Sequence, residues 1–208
     1  MAAEAEPAST PLTERQQARR RRILTATAEL AGRGGFDAVQ MREVAEEAGV
    51  ALGTLYRYFP SKIHLLLAIT RERLERLHTA LRERPPGGAD PAERVAETLM
   101  CAFRALQRDP QLADAMVRAL TFADRSASRE VDTVSRQTTA IILDAMGRAV
   151  GGDGPTPEQL SAVRVIEQTW HAALIGWLSG RASAGQVRVD IGTVCRLIDL
   201  TTPATPAR

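Results

Sequence analysis

The fold is decided by Met41-Arg-Glu-Val-Ala-Glu-Glu-Ala-Gly-Val-Ala-Leu-Gly-Thr-Leu-Tyr-Arg-Tyr-Phe59. Val44, Ala45 and Ala48 share one face of a short helix over about 40–48. Ala45 is small, so a second helix can cross it closely. Gly49 follows, where a tight turn needs a positive φ without a Cβ penalty, and Val50 plugs that turn. On a second short helix, about 52–58, Leu55 and Tyr58 pack back on the first. A small residue, glycine four later and apolar residues ten and thirteen later make helix-turn-helix spacing.

That packing leaves the outward face of the second helix for DNA. Leu52, Gly53, Thr54, Tyr56 and Arg57 lie on it. Thr54 can bond a phosphate or a base edge, and Arg57 can reach phosphate or guanine. A threonine methyl or a tyrosine ring can touch a thymine methyl, and Gly53 permits close backbone approach. Lys62 follows Ser61 at the start of the next helix, where an ammonium and free N–H groups together suit a phosphate. Arg19, Gln40, Arg42 and Tyr58 complete the expected DNA-binding set.

Upstream, five arginines (15, 19, 20, 21 and 22) occur with no acid among them. Net charge is only +2, so the molecule is no polycation. The run leads into the helix-turn-helix and reads as a flank facing phosphate, because counterion release rewards clustered arginine beside DNA. Thr13 with Gln16 forms a capping box for a helix to about Arg33. Ile23, Leu24, Thr27, Ala28 and Ala31 make its apolar stripe, and Gly32, Gly34 and Gly35 end it.

Downstream the chain reads as helices only. Ser61 caps a helix to about Arg84, and Pro85-Pro86-Gly87-Gly88 breaks it. Asp90-Pro91, Asp109-Pro110 and Thr156-Pro157 each pair a cap with a proline in the first turn. Helices are expected over about 91–107, 110–120, 125–149, 157–180 and 187–200, with Gly151-Gly152-Asp153-Gly154 as a linker. No hairpin dipeptide lies between alternating runs. The expected fold is all-α with about nine helices. Its divisions are a disordered tail over 1–12, a DNA-binding head over 13–60, a connecting helix over 61–84, a ligand-binding and dimerisation body over 85–200 and a tail over 201–208.

Composition and motifs exclude other classes. No apolar run approaches the ~18–20 residues of a membrane span. The first ten residues carry no secretory pattern, so the expected location is cytoplasmic, on the nucleoid. Cys101 and Cys195 are far apart and read as helix-face or core residues. His64, His78 and His171 stand in no metal-ligand spacing, and no Gly-x-Ser-x-Gly or phosphate loop is present. No catalytic residue, metal or cofactor is expected, and an enzyme is disfavoured. A helical adaptor that binds another protein through 157–200 is the competing class; as a monomer seeking a partner it would differ from a symmetric dimer in mass.

The residues Ile23-Leu-Thr-Ala-Thr27, Gly34-Gly-Phe36 and Gly53-Thr-Leu-Tyr-Arg-Tyr-Phe59 with Ser61-Lys62 strongly resemble the TetR family of regulators. The match covers about 19–80; later helices agree in number and length. The resemblance implies a dimer with a three-helix head and a ligand-binding body. In it, a small molecule moves the helix leaving the head, the two heads separate and the operator is released. Ala38–Arg42, Gly53–Lys62 with His64-Leu65-Leu66, and Phe122–Asp132 are similar to that family's cholesterol-catabolism repressors. This implies a sterol-derived CoA thioester as inducer, with a fatty acyl-CoA or another hydrophobic ligand as the alternative.

For the body, Met100, Phe103, Met116, Leu120, Phe122 and Trp170 are candidate pocket residues, apolar and in part adaptable. A two-fold operator needs a two-fold protein. Trp170, Leu174, Trp177, Leu178, Val194, Leu197 and Ile198 are the candidate dimer residues. The expected partners are a double-stranded DNA operator, a small hydrophobic or CoA-thioester effector and a second copy of the chain, with no membrane.

Overall fold

The computed structural model describes residues 13–147 and 154–201. The expected tail over 1–12, most of the Gly151–Gly154 linker and nearly all of the C-terminal tail lie outside the described residues. Within them the chain forms nine α-helices and no strand element. These are α1 (Glu14–Ala38), α2 (Met41–Glu47), α3 (Leu52–Tyr58), α4 (Lys62–Glu83), α5 (Pro91–Gln107), α6 (Pro110–Phe122), α7 (Ser128–Met146), α8 (Pro157–Leu178) and α9 (Ala184–Cys195). Short 3-10 turns at Arg125–Ala127 and Arg196–Ile198 precede α7 and follow α9. No helix among the described residues is long and apolar enough to cross a membrane.

Local chemistry sets most boundaries. Thr13 and Thr156 form complete capping boxes with Gln16 and Gln159. Asp90 and Asp109 accept from the backbone N–H groups of Glu93 and Leu112, and proline starts each of those helices. Several ends differ from expectation: α9 runs over Ala184–Cys195 from a Ser183 cap, where about 187–200 was expected, and two further ends matter for the site. The helical path of α1 breaks at Gly34 and Gly35, but a further turn carries Phe36 and Ala38 before the chain leaves it. Gly35 has φ +68°, which favours glycine, and an added Cβ would also press on the Asp114 carboxylate at 2.9 Å. Ser61 stands at the N-cap of α4, yet its side chain makes no capping bond. Its Oγ lies 2.9 Å from His64 Nδ1 instead.

Two apolar cores result. The first joins the head to α4 and α6, with Ile23, Val44, Leu55 and Leu66 packed together with Leu112, Ala115 and Ala119. The second joins α5, α7, α8 and α9 through Val95, Phe103, Ile142, Ile166 and Ile191. The chain break at 85–88 falls where the proline-glycine run predicts it. The first core nevertheless crosses that break, so head and body share one apolar interior.

Both cysteines are free thiols, Cys101 half-buried and Cys195 fully buried. Burial pushes the Cys195 thiol up to about 12, so almost none is thiolate near neutrality. At pH 8 iodoacetamide should modify the native protein at Cys101, and at Cys195 only after denaturant is added. Mass spectrometry reads the sites; rapid native labelling of Cys195 would contradict its packing.

Candidate DNA interface and effector cavity

The α2–α3 turn forms as its residues dictate. Gly49 has φ +63° and no atom within 4 Å of an added Cβ, so backbone conformation alone calls for glycine there. The Val50 N–H donates to the Ala45 carbonyl at 2.9 Å, which closes the turn. Val44 and Leu55 are fully buried and clamp the two helices at a fixed crossing. Burying Leu55 turns the opposite face of α3 outward. Tyr56 is 47% exposed, Gly53 and Arg57 are exposed, and Leu52 and Thr54 are half-buried at its start. Gln40 and Arg42 are exposed at the start of α2, where the Gln40 amide donates to the Asp37 carbonyl.

Two members of the expected DNA-facing set, Tyr58 and Lys62, have other surroundings. Tyr58 is half-buried against the first core, which matches its packing role. Lys62 Nζ donates to the Phe36 carbonyl at 3.3 Å and lies 4.0 Å from the Phe36 ring centroid. Its ammonium therefore ties α4 to the end of α1, because the first turn of α4 abuts Phe36. Arg19 is half-buried and lines a groove with Arg15, Arg21 and Arg22 between α1 and the end of α2. The fifth arginine of the run turns away. Arg20 Nη1 binds Glu72 Oε1 at 2.9 Å, and the guanidinium lies over the Phe59 ring. It fastens α1 to α4.

Below the head, α4, α5, α6, α7 and α8 line a half-open cavity of about 250 Å³. Leu74 and Leu77 of α4, Met116 and Leu120 of α6 and Trp170 of α8 form much of its apolar wall. Polar groups are few. Glu167 and His171 enter from α8. Burial holds the Glu167 carboxyl above the usual range, opposed by the Thr139 hydroxyl that donates to it at 2.6 Å. Burial also lowers the basicity of His171.

Of the six pocket residues expected from sequence, Met116, Leu120 and Trp170 line this cavity. The other three are corrected. Met100 and Phe103 are buried in the second core, where the Phe103 ring meets Trp170 and Trp177 edge-on and so backs the cavity wall. Phe122 is 53% exposed and stacks edge-on against Phe36 at 5.8 Å, outside the cavity. Three of the expected dimer residues also change role: Leu174 and Ile198 are buried within the chain, and Trp170 lines the cavity and packs on the second core. Trp177 and Leu178 on α8, Val194 at the end of α9 and Leu197 just beyond it remain partly exposed.

Sequence reasoning missed the joint between head and body. Arg118 of α6 donates to Asp37 at 2.8 Å, lies 3.6 Å from Asp114 and sits over the rings of Phe36 and Phe122. The Phe36 N–H points to Asp114 at 3.4 Å. A second joint is His64, whose Nε2 lies 3.3 Å from the Ser126 carbonyl in the 3-10 turn before α7. No local pattern marks either, since the partners are 62 to 81 residues apart.

A helix-turn-helix head packed on a helical body defines a DNA-binding transcriptional regulator. The chain belongs to the TetR family. Residues 23–69 match the bacterial regulatory proteins of the tetR family, and residues 88–198 match the tetracyclin repressor-like C-terminal domain. The chain is 48% identical over 173 residues to the HTH-type transcriptional repressor KstR of Rhodococcus jostii, covering 83% of this chain and 78% of that one. A TetR transcriptional regulator from Rhodococcus sp. RHA1 superposes with a TM-score of 0.81 at 36% identity, covering 93% of this chain and 100% of the other. The transcriptional regulator FadR of Bacillus subtilis, in complex with stearoyl-CoA, shares the fold at 19% identity and a TM-score of 0.63, covering 89% and 98%.

Proposed function

We propose that the chain is a homodimeric repressor that leaves a palindromic operator when a hydrophobic CoA thioester, sterol-derived, occupies the α4–α8 cavity. The carrying observation is the cavity wall itself. Thr70, Leu74 and Leu77 belong to α4, the helix that leaves the DNA-binding head. At about 250 Å³ the cavity is smaller than the ~300–1,000 Å³ of drug-sized ligand sites. A ligand that fills it presses on these walls, and α4 carries the displacement to the head. A ligand shifts an equilibrium only through such a difference between two states.

The name and high identity of the KstR relative support the repressor role. The sterol reading rests on the likeness of Phe122–Asp132 and the head segments to cholesterol-catabolism repressors. The proposed DNA contacts are Gln40, Arg42, Leu52, Gly53, Thr54, Tyr56 and Arg57, flanked by Arg15, Arg19 and Arg22. The proposed dimer face comprises Trp177, Leu178, Val194 and Leu197, beside Val165 and Val189, which are 43% and 60% exposed.

A gel shift with the chain's own promoter fragment tests the reading. The protein should retard the fragment at moderate salt, sterol CoA thioesters should release it, and half-site centres should lie about 34 Å or a multiple apart. Release by fatty acyl-CoAs alone would overturn the sterol assignment, and failure to shift the fragment would overturn the operator assignment. Tyr56→Ala should weaken operator binding roughly fivefold while the mass of the dimer stays the same, because the ring contributes about 1 kcal/mol of base contact.

A further inference from the structure

At the opening of the cavity stands a cation with no partner among the described residues. Most of the lining is buried or half-buried, and three lining residues are exposed: Arg73 of α4, Ala105 of α5 and Ser135 of α7. Exposed lining residues mark where a cavity meets solvent. Of these three only Arg73 is charged, and no other arginine or lysine occurs among the described lining residues.

The sequence of α4 explains why this arginine is unpaired. The helix holds four arginines, at 71, 73, 76 and 82. Arg71 pairs with Glu75, Arg76 with Glu72 and Arg82 with Asp144. The residues three and four positions from Arg73 are Ile69, Thr70, Arg76 and Leu77, so no acid faces it along the helix. The acids of the lining have partners of their own. Asp109 accepts from the Leu112 N–H and caps α6, and Glu167 accepts from the Thr139 hydroxyl. Arg73 thus offers its guanidinium to solvent, beside an apolar cavity and on the helix that leaves the head.

We propose that Arg73 binds a phosphate of the CoA thioester at the mouth of the cavity and so fastens the anionic end of the effector to α4. This rests on the reading of the cavity as the effector site and names the residue that selects the CoA form. A CoA thioester has an apolar acyl end, a neutral thioester and pantetheine arm, and an end whose charge lies on its phosphates. The apolar wall suits the first. The phosphates belong in solvent, where a planar guanidinium pairs with two phosphate oxygens at once. Filling the cavity and gripping Arg73 then both act on α4, the element whose displacement reaches the head.

Two thioesters of one sterol side-chain acid test it, the CoA thioester and the pantetheine thioester, which lacks the phosphates. Two readouts are direct binding by quenching of tryptophan fluorescence and the concentration that releases half of the bound promoter fragment. On the unaltered protein the CoA thioester should act at a concentration about fivefold lower, the upper range for one exposed ion pair. Added salt should narrow that gap. Arg73→Gln should close it by weakening the CoA thioester alone, and Arg73→Lys, which keeps the charge, should retain most of it. Equal potency of the two thioesters on the unaltered protein overturns the phosphate assignment and leaves the effector reading standing. A gap that survives in Arg73→Gln overturns it too. So does an equal weakening of both thioesters by that change, which would show that Arg73 supports the wall and not the phosphate. Absence of binding by either thioester overturns the effector reading together with this inference.

Discussion

Leu55→Ala should abolish operator binding at concentrations where the unaltered protein is saturated, while the α5–α9 body stays helical. Leu55 is fully buried between α2 and α3, and its removal leaves a cavity that short helices cannot refill. Leucine-to-alanine changes at such sites cost about 2–5 kcal/mol. That loss falls on a head whose recognition helix has 7 residues, too few to persist without packing. The outward side chains, Tyr56 and Arg57 among them, would then lose their fixed geometry at once. Circular dichroism melting should show an early transition carrying a minor part of the helix signal, followed by the main one. Because Leu112, Ala115 and Ala119 of α6 belong to the same core, the second transition should also fall slightly. A single unshifted melt with intact operator binding would show that Leu55 does not hold the head together.

Arg118→Ala should uncouple the cavity from the head. Arg118 shares α6 with Met116 and Leu120, which face the proposed effector cavity, while its guanidinium grips Asp37 and covers Phe36. A ligand that displaces α6 therefore pulls on the end of α1 through this side chain. Its removal leaves both cores filled, so operator affinity without effector and effector affinity without DNA should each stay within about threefold. The effector concentration needed for half release of the operator should rise at least tenfold, a coupling loss of about 1.4 kcal/mol. Linkage requires the reciprocal change, so bound operator should weaken effector binding less than it does in the unaltered protein. Unchanged release would mean that the signal travels through α4 and the His64–Ser126 contact alone.

These expectations differ in how far the sequence alone supports them. The turn at Gly49 and the exposed face of α3 are legible from spacing because every partner lies within twenty residues. The caps at Thr13, Asp90, Asp109 and Thr156 are legible for the same reason: donor and acceptor are three residues apart. The end of α1 was harder. Three glycines mark a break, but the extra turn through Phe36 exists because α6 supplies Asp114 and Arg118 to hold it.

The cavity shows the same limit from the other side. Apolar residues in α5, α6 and α8 can be named from sequence as core or lining, but helix pattern gives each the same inward face. Packing then sends Met100 and Phe103 to the second core and leaves Met116, Leu120 and Trp170 on the cavity. Phe122 is apolar and near the end of a helix, yet the Arg118 and Phe36 stack draws it to the surface. Lys62 sits in a pattern that suits a phosphate, and the nearby Phe36 carbonyl and ring take its ammonium.

The sequence by itself determined the all-α fold, the helix-turn-helix and the side of the recognition helix that faces outward. Those depend on periodicity, capping and one obligatory positive φ, all short-range properties of the chain. Only the tertiary structure decided which apolar residues line a cavity, which arginines bind structure instead of solvent, and how head and body are joined. Those depend on contacts between residues far apart in sequence, where residue type permits several partners and packing selects one.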